Sequence, residues 1–356
     1  MSQKPMLNMN TAADAQTGPS NGTPMKPSLL RTVFFGADGL RAGWGLVIFF
    51  ALLAATFSGM NAVLHYTAYQ PPPKDAPWSV GRIFLQGPAI FMTSLATWVM
   101  SKIEKRPMPV YGIGRRRALP HFLSGLTSGA ACIAALVFAL WKSRLLSFDG
   151  RLMSGAPVLG YGAIWIVGFL LLAVFQEYSS RGYLLFTAAR GLAGVYGWLF
   201  KTRHSNALGF WTASILTSVL FALGHSGIPG ESPIGLLCAG LAGMVFCLSL
   251  WRSGSLWWAI GFHTSWDWAQ SFVFGVADSG TMFEHHLLAT HPLGNPLMSG
   301  GATGPEGSLF ALPILAVIVL IIIFTFPRAR AVYPRSDQPG GFSEMASTTD
   351  GSPARS

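Results

Sequence analysis

Charge is what this sequence has least of. Only 11% of its 356 residues are Asp, Glu, Lys or Arg, against about a quarter in an ordinary soluble domain. The shortage is uneven, because the charges fall between long apolar runs, and that excludes a soluble globular domain. Acidic residues are the scarcer sign, 14 against 24 Lys and Arg, which gives a formal charge of +10. In so apolar a chain a basic excess belongs to cytoplasmic loops rather than to a nucleic-acid footprint, so no nucleic-acid partner is expected. Cysteine is nearly absent. Cys132, Cys238 and Cys247 all lie inside apolar runs, which rules out a disulfide framework. No internal repeat of 20–50 residues is visible, nor paired broken helices in corresponding halves, and both lacks speak against a transporter built from repeats.

What is present is about eight apolar runs of membrane-spanning length, near 43–65, 82–101, 120–141, 158–178, 206–224, 233–251, 255–275 and 309–327. The expected fold is all-α, a polytopic membrane helix bundle in contact with the lipid bilayer. Residues 1–40, rich in Pro, Gly, Ser, Thr and Asn, read as a disordered cytoplasmic tail, and residues 329–356 as a second one. Between them the chain divides into N-terminal transmembrane helices (41–157), a core (158–275), an extracytoplasmic loop (276–308) and a last transmembrane helix (309–328). Residues 183–200 carry Arg190 among glycines and read as an amphipathic or interfacial helix. Trp251, Trp257, Trp258, Trp266 and Trp268 read as an aromatic belt at the interface, or as the lining of a path for an apolar ligand.

The basic residues orient the bundle. With the N-terminus inside, all but five of the 24 Lys and Arg fall on the cytoplasmic side; the five are Lys74, Arg82, Lys142, Arg144 and Arg151. The segment 276–308 has none. That asymmetry predicts both termini in the cytoplasm.

Few ionisable residues lie at membrane depth, where a charge costs a few kcal/mol and usually faces the bundle interior. Glu177 and Arg181 stand four apart, on one face of a helix, and can pair. His263 and Asp267, in "GFHTSWDW", have the same spacing and present an imidazole and a carboxylate together. His225 ends "SVLFALGH", four residues after Phe221. Imidazole and carboxylate groups either bind a metal or position a water. Taken singly, each has a plainer reading: a helix-edge ion pair, an interfacial histidine, a buried pair that tightens packing.

The order Glu-x-x-x-Arg, Phe-x-x-x-His, His-x-x-x-Asp on successive helices resembles the CPBP family, the CAAX proteases and bacteriocin-processing enzymes also called the Abi family. The similarity spans roughly 160–275, through Glu177, Arg181 and Gly182, Phe221 and His225, and His263 and Asp267. The resemblance implies an intramembrane endopeptidase of the plasma (inner) membrane acting on a membrane-associated peptide or protein. It implies that an acidic residue deprotonates a water, the first His helps hold it, and the second His with its partner stabilises the oxyanion. In that pattern Glu177 is base or metal ligand and Arg181 orients it. The cofactor is either a divalent metal such as zinc, held by Glu177, His225 and His263, or none.

The chain departs from the family at one position. The motif usually opens Glu-Glu, and here the first place is Gln176. A neutral amide takes no proton from water. Either Glu177 acts instead, or the chain is a CPBP-like protein that binds a peptide or protein partner without cutting it. Neighbouring helix positions point about 100° apart, so the two places are not equivalent.

Overall fold

The computed structural model describes residues 33–36, 39–67, 73, 75–84 and 86–327. The tails expected at 1–32 and beyond 327 lie outside the described residues. Residues 33–40, read as part of the first tail, include two short paired strands, β1 (Phe35–Gly36) and β2 (Gly39–Leu40).

The fold is a helical bundle. Its elements are α1 (Ala42–Tyr66), α2 (Val80–Phe84), α3 (Gln86–Ile103) and α4 (Ala118–Lys142). After the strand β3 (Leu146–Arg151) come α5 (Ala156–Ser179), a π-helical turn (Ser180–Leu184), α6 (Leu185–Phe200), α7 (Ser205–His225) and α8 (Pro233–Ser253). Then follow α9 (Trp257–Trp268), a second π-helical turn (Ala269–Val273), β4 (Leu288–Pro292), α10 (Pro296–Ser299) and α11 (Ala311–Thr325).

Six helical runs among the described residues are long and apolar enough to cross a membrane, and the protein is an integral membrane protein. Two of the eight expected spans are shorter than read, α9 with 12 residues and α11 with 15. The chain after α9 passes into the π turn and reverses at Gly275, whose φ of +61° suits glycine. The outermost helix, α1, is apolar on every side yet only 6% buried within the protein, as befits a helix surrounded by lipid.

The helix expected at 183–200 is present as α6, divided from the span before it by a kink at Gly182. Residues 156–200 form one 45-residue helical run. At 1.5 Å per residue that is about 67 Å, twice the roughly 30 Å of a bilayer core. The run is broken at Gly182, with φ −79° and ψ −113°. Glu177 and Arg181 therefore sit at a break in mid-run, not at the end of a span, and α7 packs back alongside so that its C-terminal His225 comes near them.

The α4–α9 crossing fixes where α9 stands. A Cβ on Gly125 would lie 2.1 Å from the Trp258 carbonyl oxygen, and one on Gly261 2.1 Å from that of Phe122. Only glycine lets the two backbones approach so closely, the small-residue contact that stands in for hydrophobic driving force inside a membrane. The residues of 276–308 are not an open loop. Strand β4 pairs antiparallel with β3, Trp78 bridges to Phe283, and the backbone N–H of Leu287 donates to the Phe272 carbonyl at 2.7 Å. The segment is thereby folded over one end of the bundle.

The five tryptophans pack into the bundle to different depths. Trp258 is fully buried, the indole N–H of Trp257 donates to Gly114 O at 3.1 Å, and that of Trp268 to Gly162 O at 3.0 Å. Trp251 packs on Phe210 and Trp211. Trp266 lines a cavity. Only Trp258 is wholly buried; the other four are half-buried, and four of the five stand on α9, which packs against α4, α5 and α8.

Candidate functional site

The site begins where α5 passes into the π turn. Arg181 Nη1 donates to Glu177 Oε2 at 2.7 Å, and both side chains are almost wholly buried. The guanidinium lies between two rings, 4.9 Å from the centroid of Phe221 on α7 and 5.3 Å from that of Phe246 on α8. Its Nε donates to the Gly243 carbonyl at 3.4 Å, and a Cβ on Gly243 would meet the guanidinium at 3.1 Å. A buried cation is tolerable here because a carboxylate, two π faces and a carbonyl replace its water.

The other carboxylate oxygen, Glu177 Oε1, accepts from His263 Nδ1 at 2.9 Å. On the far side of the imidazole, His263 Nε2 lies 3.5 Å from Asp267 Oδ2, one turn further along α9. The result is a chain of polar groups crossing from α5 to α9: Arg181, Glu177, His263, Asp267. His225 stands separately at the end of α7. Its Nδ1 donates to the Phe221 carbonyl at 2.8 Å, which places the proton on Nδ1 and leaves the lone pair of a neutral imidazole on Nε2.

A cavity of about 170 Å³ opens beside this chain. Its walls are mainly apolar, with Leu172, Phe221, Val245, Phe246, Phe262 and Trp266 among them. Gln176, His225, His263 and Asp267 reach it, whereas Glu177 and Arg181 are not among the lining residues. All five expected residues lie in one neighbourhood, but they divide into three at the cavity and two behind it. The 100° between adjacent helix positions turns Gln176 toward the cavity and Glu177 toward α9. The Gln176 Oε1 atom is buried without a hydrogen-bond partner among the described residues.

Sequence reasoning missed the cavity's third acidic contribution. Asp278, Ser279 and Glu306, from the folded-over 276–308 segment, line the same space. Glu306 accepts from the Gln270 amide and from the Ser279 backbone N–H, and Asp278 accepts from the Ser271 hydroxyl at 3.3 Å. Burial pushes the Glu306 carboxyl up to about 8, and burial together with the charges of Asp267 and Glu306 holds Asp278 well above the usual carboxylate range. No local signal in "GPEG" points to this. None of the loop histidines lines the cavity. His285 stacks on Tyr161, His286 donates to Phe283 O, and His291 pairs with Asp149.

The donor set does not suit the expected metal ligands. Both oxygens of Glu177 are engaged by Arg181 and His263, and His263 uses Nδ1 for that contact. Among the described residues no group of three or more His, Cys, Asp or Glu side chains is arranged to hold a metal ion, where zinc in a catalytic site asks for three converging protein ligands.

Comparison with known proteins places this geometry. Residues 159–269, about a third of the chain, match the family model for type II CAAX prenyl endopeptidases, Rce1-like. The similarity is confined to this segment. It runs from α5 to the start of the second π turn, so it contains Gln176, Glu177, Arg181, His225, His263 and Asp267, while Asp278 and Glu306 fall outside it. No curated protein and no solved structure matches the chain. The matched segment thus supplies the cavity walls on α5, α7, α8 and α9, and Trp78 before it and the residues after it supply the rest.

Proposed function

We propose that this chain is an endopeptidase that hydrolyses peptide bonds of membrane-associated proteins or peptides, with the cavity of the Rce1-like domain as the place of cleavage. The observation that carries the reading is the convergence of two imidazoles, a carboxylate and an amide, from α5, α7 and α9, on one otherwise apolar cavity at membrane depth. Polar groups are costly there, and such a gathering is best explained by chemistry on a polar bond brought into the bilayer.

Six residues make up the machinery. His225, through the lone pair on Nε2, accepts a hydrogen bond from the water that attacks. His263 and Asp267 face the same space. Glu177 and Arg181 are positioning residues, holding the His263 ring by its Nδ1 and balancing the charge beneath it. The carbonyl of the scissile bond meets donors such as the Gln176 amide, whose NH₂ can support a developing oxyanion. No step is routed through a metal. The basic-residue asymmetry supports a setting in the plasma (inner) membrane with both termini cytoplasmic, and reporter fusions at the two tails and within 276–308 check it. A cytoplasmic signal from 276–308 overturns that orientation.

The test of activity uses the full-length protein in detergent or liposomes with a library of membrane-proximal peptides, some of them prenylated. The expected result is cleavage, insensitive to a chelator, that falls by at least about 100-fold in His225→Ala and His263→Ala. Peptides that bind tightly and stay whole would establish the second reading, a binding protein, for which the amide at Gln176 is the specific observation.

A further inference from the structure

Peptide hydrolysis needs a group that takes a proton from water, and the sequence motif points to Glu177. The geometry withholds it. Glu177 is 0% exposed, one oxygen is held by Arg181 and the other by His263, and it does not line the cavity. Three carboxylates do line it: Asp267, Asp278 and Glu306. Glu306 and Asp278 are already committed to Gln270, Ser279 and Ser271, and burial raises both carboxyls above the usual carboxylate range, which favours their neutral form. Asp267 alone combines access to the cavity with a basic partner, the His263 imidazole. It stands at the cavity end of the chain Arg181–Glu177–His263, 3.5 Å from His263 Nε2, while the opposite contributor, Gln176, is an amide with an unpartnered buried oxygen.

We propose that Asp267 is the proton acceptor of this enzyme, so that the carboxylate acts from α9 and an amide occupies the corresponding wall on α5. The inference rests on the endopeptidase reading. In the first step a proton of the water passes to Asp267, the water oxygen bonds to the carbonyl carbon, and the carbonyl π pair moves onto its oxygen. In the second the C=O bond re-forms, the C–N bond breaks, and Asp267 returns its proton to the leaving nitrogen. One water is consumed, one carboxylic acid and one amine are released, and the Asp267 carboxylate is regenerated. Glu177 remains a positioning residue throughout.

The experiment compares kcat and KM of the full-length protein with those of Asp267→Asn, Asp267→Ala and Glu177→Gln, each checked for folding by gel filtration and thermal unfolding. Asp267→Asn, nearly isosteric, is expected to lower kcat by about 10²- to 10⁴-fold with KM little changed. Asp267→Ala should recover rate when formate is supplied, which a merely structural role would not allow. The double variant Gln176→Glu with Asp267→Asn, which moves the carboxylate to the other wall of the cavity, should regain part of the lost rate. A folded Asp267→Asn protein that cleaves within threefold of the parent overturns the inference, as does a Glu177→Gln loss far larger than that of Asp267→Asn. A parent that cleaves none of the peptides sinks the endopeptidase reading instead, and the inference with it.

Discussion

Two clusters of charge face one cavity and are built on opposite plans. Behind its α5–α9 side, Arg181, Glu177, His263 and Asp267 alternate in sign and hold one another at 2.7, 2.9 and 3.5 Å. On the 276–308 side, Asp278 and Glu306 have no cation beside them among the described contacts; they have amide, hydroxyl and backbone donors. The first cluster pairs its groups with one another, whereas in the second burial raises both carboxyls and favours the neutral form. Both answer the same cost of placing charge in a low-dielectric interior.

The comparison breaks most severely if the paired side loses one partner. Arg181→Met strands the Glu177 carboxylate and should destabilise the protein by about 3–5 kcal/mol, whereas Glu177→Gln with Arg181→Met should recover most of that loss. Thermal unfolding in detergent reads both; equal losses in the single and the double variant would show that the charges are not compensating one another.

A second change leaves every charge in place and moves the frame. Gly261→Ala puts a methyl where the Phe122 carbonyl oxygen stands 2.1 Å away. The α4–α9 crossing must open, at about 1–3 kcal/mol, and His263, two residues on, shifts from Glu177. Cleavage should fall more than stability does. Unchanged activity would mean that the crossing does not set the position of the imidazole.

The unpaired side should show itself in pH. Glu306 is raised from 4.5 to about 8, so between those values the folded protein holds a proton that the unfolded chain has released. Its contribution to stability therefore falls as pH rises through that window and levels off above it. Glu306→Gln should flatten the decline of Tm between pH 5 and 8. A decline just as steep in the variant would place its cause in another group.

The smallest effect belongs to a pair outside both clusters. His291 and Asp149 meet at 2.7 Å, but their side chains are 51% and 42% exposed. Asp149→Ala should change stability by less than about 0.5 kcal/mol. A larger loss would mean that the β3–β4 pairing depends on this contact, and that the cover over the cavity is less independent of surface charge than its backbone bonds indicate.

The sequence by itself determined that the chain is an apolar helical bundle, because stretches with no charge for about 20 residues have few other fates. It also singled out Glu177, Arg181, His225, His263 and Asp267, since ionisable residues stand out against such a background, and it placed Glu177 beside Arg181 and His263 beside Asp267 by the four-residue spacing. What it could not decide was which way each helix is turned. A helix apolar on all sides carries no stripe to mark its inner face, so nothing local says whether Gln176 or Glu177 looks into the cavity. That rotation is set by contacts distant in sequence: the guanidinium of Arg181 against Phe221, Phe246 and Gly243, and the backbone of α9 drawn onto α4 at Gly125 and Gly261. The same holds for Asp278 and Glu306. Their loop is brought over the cavity by strand pairing between β3 and β4, partners more than 130 residues apart in the chain, and only that tertiary pairing makes two loop acids part of the site.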